Sequence, residues 1–189
     1  MKSLLLQPTP MAQWKNLVQE AKCSSQLTLN EELESYLVLL LDRFNRRPEI
    51  ANCVLASEFL LGMHTTPTRK PACLREVGDK CLLLAGLFPE QAEKKMVKLK
   101  YFIELGRTAY TQVAGSSKTQ AAMLYHALSH SFVRLMEILN TIRGMSDPIN
   151  ELTPLQAIEL WTESNSQHAL TVLQRRTTSL VLRGPSKKQ

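Results

Sequence analysis

Proline placement is the feature that most constrains how this chain can fold. Proline is favoured at the first position of a helix, where its missing N–H costs nothing, and it is excluded from helix interiors. Five of the nine prolines stand directly before an apolar stretch of helical periodicity: Pro10, Pro48, Pro71, Pro89 and Pro154. Two of them, Pro48 and Pro89, are followed by a glutamate, which the positive end of a helix dipole favours. Each of the five therefore predicts a helix start.

Single glycines predict the matching helix ends. Gly62, Gly86, Gly115 and Gly144 each follow a periodic stretch, and glycine readily adopts the left-handed conformation found just past a helix end. Asn30, followed by two glutamates, is the expected cap of the second helix. Between these marks the pattern predicts about eight helices. Their expected ranges are 10–23, 29–45, 48–62, 71–86, 89–114, 117–143, 153–164 and 167–182.

The predicted fold is an all-α, single-domain bundle of these helices. Residues 177–182 are rich in β-branched side chains and could form a strand, but such a strand would have no partner, so we interpret them as a frayed helix end. A chain of 189 residues is long enough to bury a core without staples. We expect a helical domain over residues 1–183 and a flexible basic tail over 184–189.

The positive charge of the chain is concentrated near its C-terminus. The formal net charge is +6, and no acidic residue follows Glu163. Five basic residues do follow it: Arg175, Arg176, Arg183, Lys187 and Lys188. We interpret this segment as a solvated tail, and contact with a partner, nucleic acid or an anionic surface is the alternative.

The cysteines indicate reduced thiols. Cys23, Cys53, Cys73 and Cys81 match no zinc-ligand spacing, and each stands among apolar, helix-forming neighbours, so we expect them in the core. Disulfides are disfavoured because the apolar run at residues 4–6 is too short for a secretory signal. No apolar run reaches the roughly 18 residues that span a bilayer. We expect a cytoplasmic protein, and export through a receptor-read C-terminal signal stays open.

One histidine pair has metal-ligand spacing. His126 and His130 stand at i and i+4, which places two imidazoles on one helix face, and Glu137 is expected further along that face. The apolar stripe of the same helix lies about half a turn away, so the histidines are expected to face solvent. Two further ligands would be needed, so we expect adventitious metal binding at most and no cofactor.

The region from Leu74 to Tyr110 predicts a central antiparallel hairpin. Its two inner stripes each contain a mid-helix glycine, Gly78 and Gly106, at a cost of about 1 kcal/mol relative to alanine. Close approach of two helix backbones would offset that cost. Asp79 and Arg107 flank the glycines and are expected to pair across the crossing. The alternative is a ligand pocket lined by Arg75, Asp79, Arg107 and Tyr110.

Common catalytic signatures are absent from the sequence. There is no Glu-x-x-His pair for a carboxylate-bridged di-iron centre, no G-x-S-x-G elbow, and no glycine-rich phosphate loop. These absences disfavour the corresponding enzyme classes. No repeat of fixed period is present, which argues against a helical solenoid.

The same central region carries a resemblance. The residues LREVGDKCLLLAGLFPE from Leu74, together with Tyr101-Phe102 and LGRTAY from Leu105, resemble a family of bacterial helical proteins with no assigned activity. The resemblance covers about a quarter of the chain and implies a bacterial origin. It implies no ligand, cofactor or site residue.

These observations favour a non-enzymatic helical protein that works by interaction or regulation, with another protein as the expected partner. The alternative is a helical enzyme or ligand-binding protein with a dispersed site near Arg75, Asp79 and Arg107.

Overall fold

The helix starts follow the proline and cap signals of the sequence. In a computed structural model, which describes residues 9–46, 55–89, 98–146, 155, 157–158, 161–162 and 169–174, Thr9 caps the first helix and Pro10 opens it. The side-chain oxygen of Asn30 accepts a hydrogen bond from the Leu33 amide at 2.9 Å, as expected of a cap. Pro71 lies in the first turn of the fourth helix.

Seven helices make up most of the described chain, and the all-α prediction is confirmed. They are α1 (Pro10–Ser25), α2 (Glu31–Arg46), α3 (Leu55–His64), α4 (Lys70–Leu87), α5 (Leu99–Gly115), α6 (Thr119–His130) and α7 (Phe132–Ser146). Residues 155, 157–158, 161–162 and 169–174 are also helical. The predictions for residues 1–8, 47–54, 90–97, 147–154, 156, 159–160, 163–168 and 175–189 lie outside the described residues. They include the helix starts at Pro48 and Pro154, the possible strand and the basic tail.

Two predicted helices are divided differently. The helix expected over 89–114 is divided at Lys98, whose extended backbone directly precedes the helix Leu99–Gly115, while Pro89 is itself helical. The helix expected over 117–143 breaks at Ser131, where a turn separates α6 from α7. Neither Lys98 nor Ser131 is a strong helix-breaking residue. Apolar periodicity alone therefore predicted a continuous helix across each of them.

The four glycines lie close to the helix ends, as expected, but the left-handed conformation predicted for them was wrong. The helices end within two residues of Gly62, Gly86, Gly115 and Gly144, each of these glycines lies inside its helix, and no described glycine has a positive φ. The left-handed residue is Gln26, at the end of α1, with φ 55°. Gly62 and Gly86 are instead buried, each against a leucine side chain of another helix. Gly62 lies against Leu74 on α4, and Gly86 lies against Leu139 on α7.

α4 and α5 form the most extensive helix pair and pack antiparallel. Gly78 lies against the ring of Tyr110, whereas Cys81, further along α4, lies against Gly106, earlier on α5. Buried apolar side chains from all seven helices and from residues 157, 169 and 172 join one cluster around this pair. Within the described ranges, no helix is long and apolar enough to cross a membrane.

Candidate functional site

A buried carboxylate lies at the centre of this helix pair. Asp79, on α4, is 1% exposed. Its Oδ1 accepts hydrogen bonds from the hydroxyls of Tyr36 at 2.6 Å and Tyr110 at 2.8 Å. Its Oδ2 accepts a hydrogen bond from Nη2 of Arg43, which also forms an ion pair with it. Both carboxylate oxygens therefore accept hydrogen bonds from side chains of the protein.

Two helices, α2 and α5, supply the three donors to Asp79 on α4. Tyr36 and Arg43 stand at i and i+7 on α2, so they lie two turns apart on one face and reach Asp79 together. Tyr110 reaches it from α5. The buried group thus ties α2, α4 and α5 at a single point, which we call the Asp79 cluster (Tyr36, Arg43, Asp79 and Tyr110).

Aromatic rings surround the carboxylate. Tyr36 meets Tyr110 and Tyr125 edge to face, with ring centroids 6.4 and 6.3 Å apart. Tyr110 also packs against Tyr125 and Phe132 at 6.1 Å each. A Cβ at Gly78 would lie 2.6 Å from the Tyr110 ring, so glycine makes room for that ring. Such edge-to-face and tilted pairs stabilise a core beyond the area they bury.

Burial and hydrogen bonding oppose each other at Asp79. Burial raises the pKa of this carboxyl, while the positive charge of Arg43 and the two tyrosine hydroxyls lower it, and burial has the larger effect. Burial also raises the pKa values of Tyr36 and Tyr110, and the charge of Asp79 raises them further. Both phenols therefore stay protonated at neutral pH and act as donors.

This arrangement connects α2, α4 and α5 through one buried carboxylate. Asp79 is 1% exposed, and it already accepts three hydrogen bonds of the roughly four that a carboxylate can accept. The Arg43 side chain is 36% exposed, so its outer part reaches solvent while Nη2 is held by Asp79.

The structure brings together two of the four predicted pocket residues. Asp79 and Tyr110 are hydrogen-bonded, and Arg75 lies one turn before Asp79 on α4, half-buried. The Nε of Arg75 is buried and has no hydrogen-bond partner in the part of the chain that the structure describes. Arg107 lies elsewhere: its side chain is exposed, and its carbonyl accepts a hydrogen bond from the Ser129 hydroxyl at 3.1 Å.

The predicted Asp79–Arg107 pair was wrong. Asp79 turns toward α2 and pairs with Arg43, which sequence reasoning missed along with Tyr36 and Tyr125. The sequence did hold a signal on α2, because Tyr36 and Arg43 flank its buried apolar stripe at i and i+7. A charged residue in register with buried leucines indicates a buried partner.

The histidine pair lies on the surface of α6. His126 and His130 are both exposed. Glu137 does not share their face: it lies on α7, beyond the break at Ser131, and is buried. Among the described residues, no three His, Cys, Asp or Glu side chains are placed to hold a metal ion.

The described cysteines are free thiols, but they do not all lie in the core. Cys81 is buried, Cys73 is half-buried and Cys23 is exposed, so the core prediction was wrong for Cys23. Burial raises the pKa of the Cys81 thiol. Cys53 lies outside the described residues.

Comparisons with protein-family models, curated proteins and solved structures gave no match to this chain.

Proposed function

We propose that this protein acts by binding another protein through the outward face of α3, and not by catalysis in its core. The observation that carries the proposal is the exposure of two adjacent leucines, Leu60 at 59% and Leu61 at 70%. The exposed residues of α3 are Ala56, Ser57, Leu60, Leu61 and His64, with no Asp, Glu, Lys or Arg among them.

The inner side of α3 fixes the orientation of this face. Glu58 accepts a hydrogen bond from the Lys80 ammonium at 2.7 Å, which links α3 to α4. Gly62 packs against Leu74, where a Cβ would lie 3.1 Å from a methyl carbon. Because two separate contacts hold the same side inward, Leu60 and Leu61 point away from α4.

An uncharged, apolar outward face is typical of the centre of a protein interface. Charged residues are depleted there, whereas a single exposed leucine is ordinary on any surface. Two adjacent leucines on a helix held in fixed orientation form a small patch that a partner helix or sheet can cover. This favours a protein partner over a soluble metabolite.

The Asp79 cluster supports the same proposal. Its carboxylate is 1% exposed and already accepts three hydrogen bonds, which disfavours a role as a general base. The alternative, a ligand-binding protein or enzyme with a dispersed site near Arg75, Asp79 and Arg107, is favoured by one observation: the Nε of Arg75 is buried and has no hydrogen-bond partner among the described residues. We further propose a cytoplasmic location and no bound cofactor, in keeping with the sequence expectations.

Site-specific photo-cross-linking in the cells that produce the protein tests the proposal. A cross-linkable residue at Leu61 should give one discrete product, whereas the same residue at Leu39, which is 55% exposed on α2, should not. The cross-linked protein is then identified and purified. Leu60→Ser should weaken its affinity about tenfold, as expected for loss of an apolar anchor.

Two results would contradict this function. The first is equal cross-linking from positions 61 and 39. The second is a metabolite that stabilises the wild type, since a ligand at about 100 times its Kd adds about 2.7 kcal/mol to the unfolding free energy. If Arg75→Gln abolished that stabilisation, the ligand-binding alternative would replace the proposal.

A further inference from the structure

A second concentration of positive charge lies on α5, α6 and the start of α7. Residues 98–134 contain five basic side chains and one acidic side chain. The basic residues are Lys98, Lys100, Arg107, Lys118 and Arg134, and all five are exposed. The other residues up to Glu163 include more acidic than basic side chains. The excess of positive charge before the C-terminal segment is therefore local to these helices.

These five side chains form no ion pair in the part of the chain that the structure describes. The four described ion pairs lie elsewhere: Lys22–Glu34, Arg43–Asp79, Arg46–Asp42 and Lys80–Glu58. Glu104, the one acidic residue of the region, is also exposed. An exposed carboxylate binds an exposed cation only weakly, so the region keeps a net positive charge that is available to a partner.

Two hydroxyl contacts hold α5 and α6 side by side. The Ser129 hydroxyl donates a hydrogen bond to the Arg107 carbonyl at 3.1 Å, and it lies 3.0 Å from the Thr111 hydroxyl. Arg107 on α5 and His130 on α6 are therefore at the same level, and both side chains are exposed. Because both helices turn their buried sides to the core, these two side chains share the outer surface of the pair.

The same surface extends along α7 and along α5. Backbone hydrogen bonds of helical spacing continue across the turn between α6 and α7, so Arg134 lies about one turn beyond His130. Lys100, two turns before Arg107 on α5, shares its face. We call this surface the basic face (Lys100, Arg107, Lys118, His130 and Arg134).

The length of the basic face selects a polyanion over a small anion. α5 has 17 residues, so it is about 25 Å long at about 1.5 Å per residue. Lys100 lies near its start, and Lys118 follows its end. A single phosphate would reach only part of this face. A nucleic-acid duplex, with one negative charge per about 1.7 Å of its axis, can contact the whole length.

The uncharged residues of the two helices favour a phosphate backbone over a lipid surface. Exposed hydroxyl and amide side chains lie among the charges: Thr108, Thr111, Thr119 and Gln120. Such side chains commonly contact the phosphate and sugar oxygens of nucleic acids. Attachment to a membrane depends instead on a broad inserted apolar face, and only Tyr101 and Met123 provide large exposed apolar side chains on α5 and α6.

We propose that the basic face binds the phosphate backbone of a nucleic-acid double helix. Charge complementarity along one long, polar face carries the inference. Contacts of this kind position a protein on a duplex and read no base sequence. The basic face lies on helices other than α3, so either proposal can fail alone.

Fluorescence anisotropy of the full chain with short labelled duplexes provides the test, with DNA and RNA duplexes of the same sequence as separate arms. Binding to either duplex should have a dissociation constant of about 1–100 µM near physiological salt, and the arm that binds more tightly identifies the source. The logarithm of the binding constant should fall linearly with the logarithm of the salt concentration, by about 0.9 for each phosphate neutralised. A second duplex of unrelated sequence should bind equally well.

A matched pair of substitutions separates the basic face from overall charge. Lys100→Gln and Lys15→Gln each remove one positive charge from an exposed helix position, but Lys15 lies on α1. Lys100→Gln should weaken binding about fivefold to tenfold at about 0.1 M salt and lower the salt slope by about 1. Lys15→Gln should leave both quantities unchanged. Arg107→Gln combined with Arg134→Gln should lower the slope by about 2.

Three outcomes would overturn the inference. One is the absence of binding to both duplexes at low salt, and another is equal weakening by Lys100→Gln and Lys15→Gln, which would assign the binding to net charge. The third is binding to polyglutamate or to phosphatidylglycerol vesicles without binding to a duplex, which would assign the face to an acidic protein or a membrane.

Discussion

Asp79 shows how two opposing effects set the behaviour of one residue. Full burial disfavours its charge, and three donors favour it. Because burial has the larger effect, the pKa of Asp79 is higher in the folded protein than in the unfolded chain. The folded state therefore holds this proton more tightly.

This pKa shift predicts a pH dependence with a definite sign. The stabilisation is present below the unfolded pKa of about 4 and is lost as pH rises through the higher folded value. The wild type should therefore gain stability relative to Asp79→Asn as pH falls from about 7 toward about 4. Urea unfolding of both proteins over this range measures the difference. If this difference in unfolding free energy shrank as pH fell, the hydrogen-bond donors would have a larger effect than burial on the pKa of Asp79.

Tyr110→Phe isolates one hydrogen bond of the Asp79 cluster. A hydrogen bond to a charged group contributes about 1.5–3 kcal/mol, so the variant should lose about that much unfolding free energy. Tyr101→Phe is the control, because that residue lies on the same helix but is exposed. Its effect should stay within about 0.5 kcal/mol. Equal losses of unfolding free energy in the two variants would contradict a specific stabilising role for the Tyr110 hydroxyl.

The histidine pair on α6 should bind metal weakly. Two exposed imidazoles leave a tetrahedral ion short of two protein ligands. Isothermal titration with zinc should show no stoichiometric, submicromolar site. Tight binding that disappears in His130→Ala would contradict this.

Part of the Asp79 cluster was predictable from sequence. Asp79 and Tyr110 were both named in the alternative ligand pocket near the crossing of the two helices, and the structure joins them by a hydrogen bond. Arg43 was missed because it is 36 residues from Asp79, and local patterning favours the nearer basic residue across the helix pair. Which basic residue pairs with Asp79 depends on how α2 packs against α4. The sequence pattern of a single helix holds no information about that packing.

At the scale of elements, prolines and caps were better guides than glycines. Pro10, Asn30 and Pro71 act through local backbone chemistry, so their positions fix helix starts. Gly78, Gly86 and Gly106 act through their neighbours in space. A Cβ at Gly86 would lie 2.5 Å from that of Leu139, on a helix more than 40 residues later.

Gly106→Leu should therefore be strongly destabilising. The glycine was expected to allow backbone contact, but its closest neighbour is the Phe132 ring, 2.4 Å from an added Cβ, with the Cys81 Cβ at 2.9 Å. Overpacking a core costs about 1–3 kcal/mol, and this site should reach the upper end. Denaturant unfolding of the purified variant measures the loss.

Gly144→Ala is the matched control for that substitution. Nothing lies within 4 Å of an added Cβ at Gly144, and its φ is not positive. Alanine there should stabilise α7 by about 0.5–1 kcal/mol through helix propensity. The two substitutions should thus differ in sign, and a raised midpoint for Gly106→Leu would contradict the packing account.

At the scale of the whole molecule, one buried cluster draws on every described helix. The far-ultraviolet circular dichroism spectrum should accordingly be dominated by helix. A sheet content near the globular average, about 20–25%, would contradict the fold.

The contact between Gly78 and Tyr110 has a consequence for how related sequences can diverge. The ring fills the space that a Cβ at position 78 would need, so neither position can change size alone without strain or a void. Positions 78 and 110 should therefore covary among related sequences, with a larger residue at 78 accompanied by a smaller one at 110. A smaller residue at 110 also removes the hydroxyl that donates a hydrogen bond to Asp79. In such sequences we expect a neutral residue at position 79 as well.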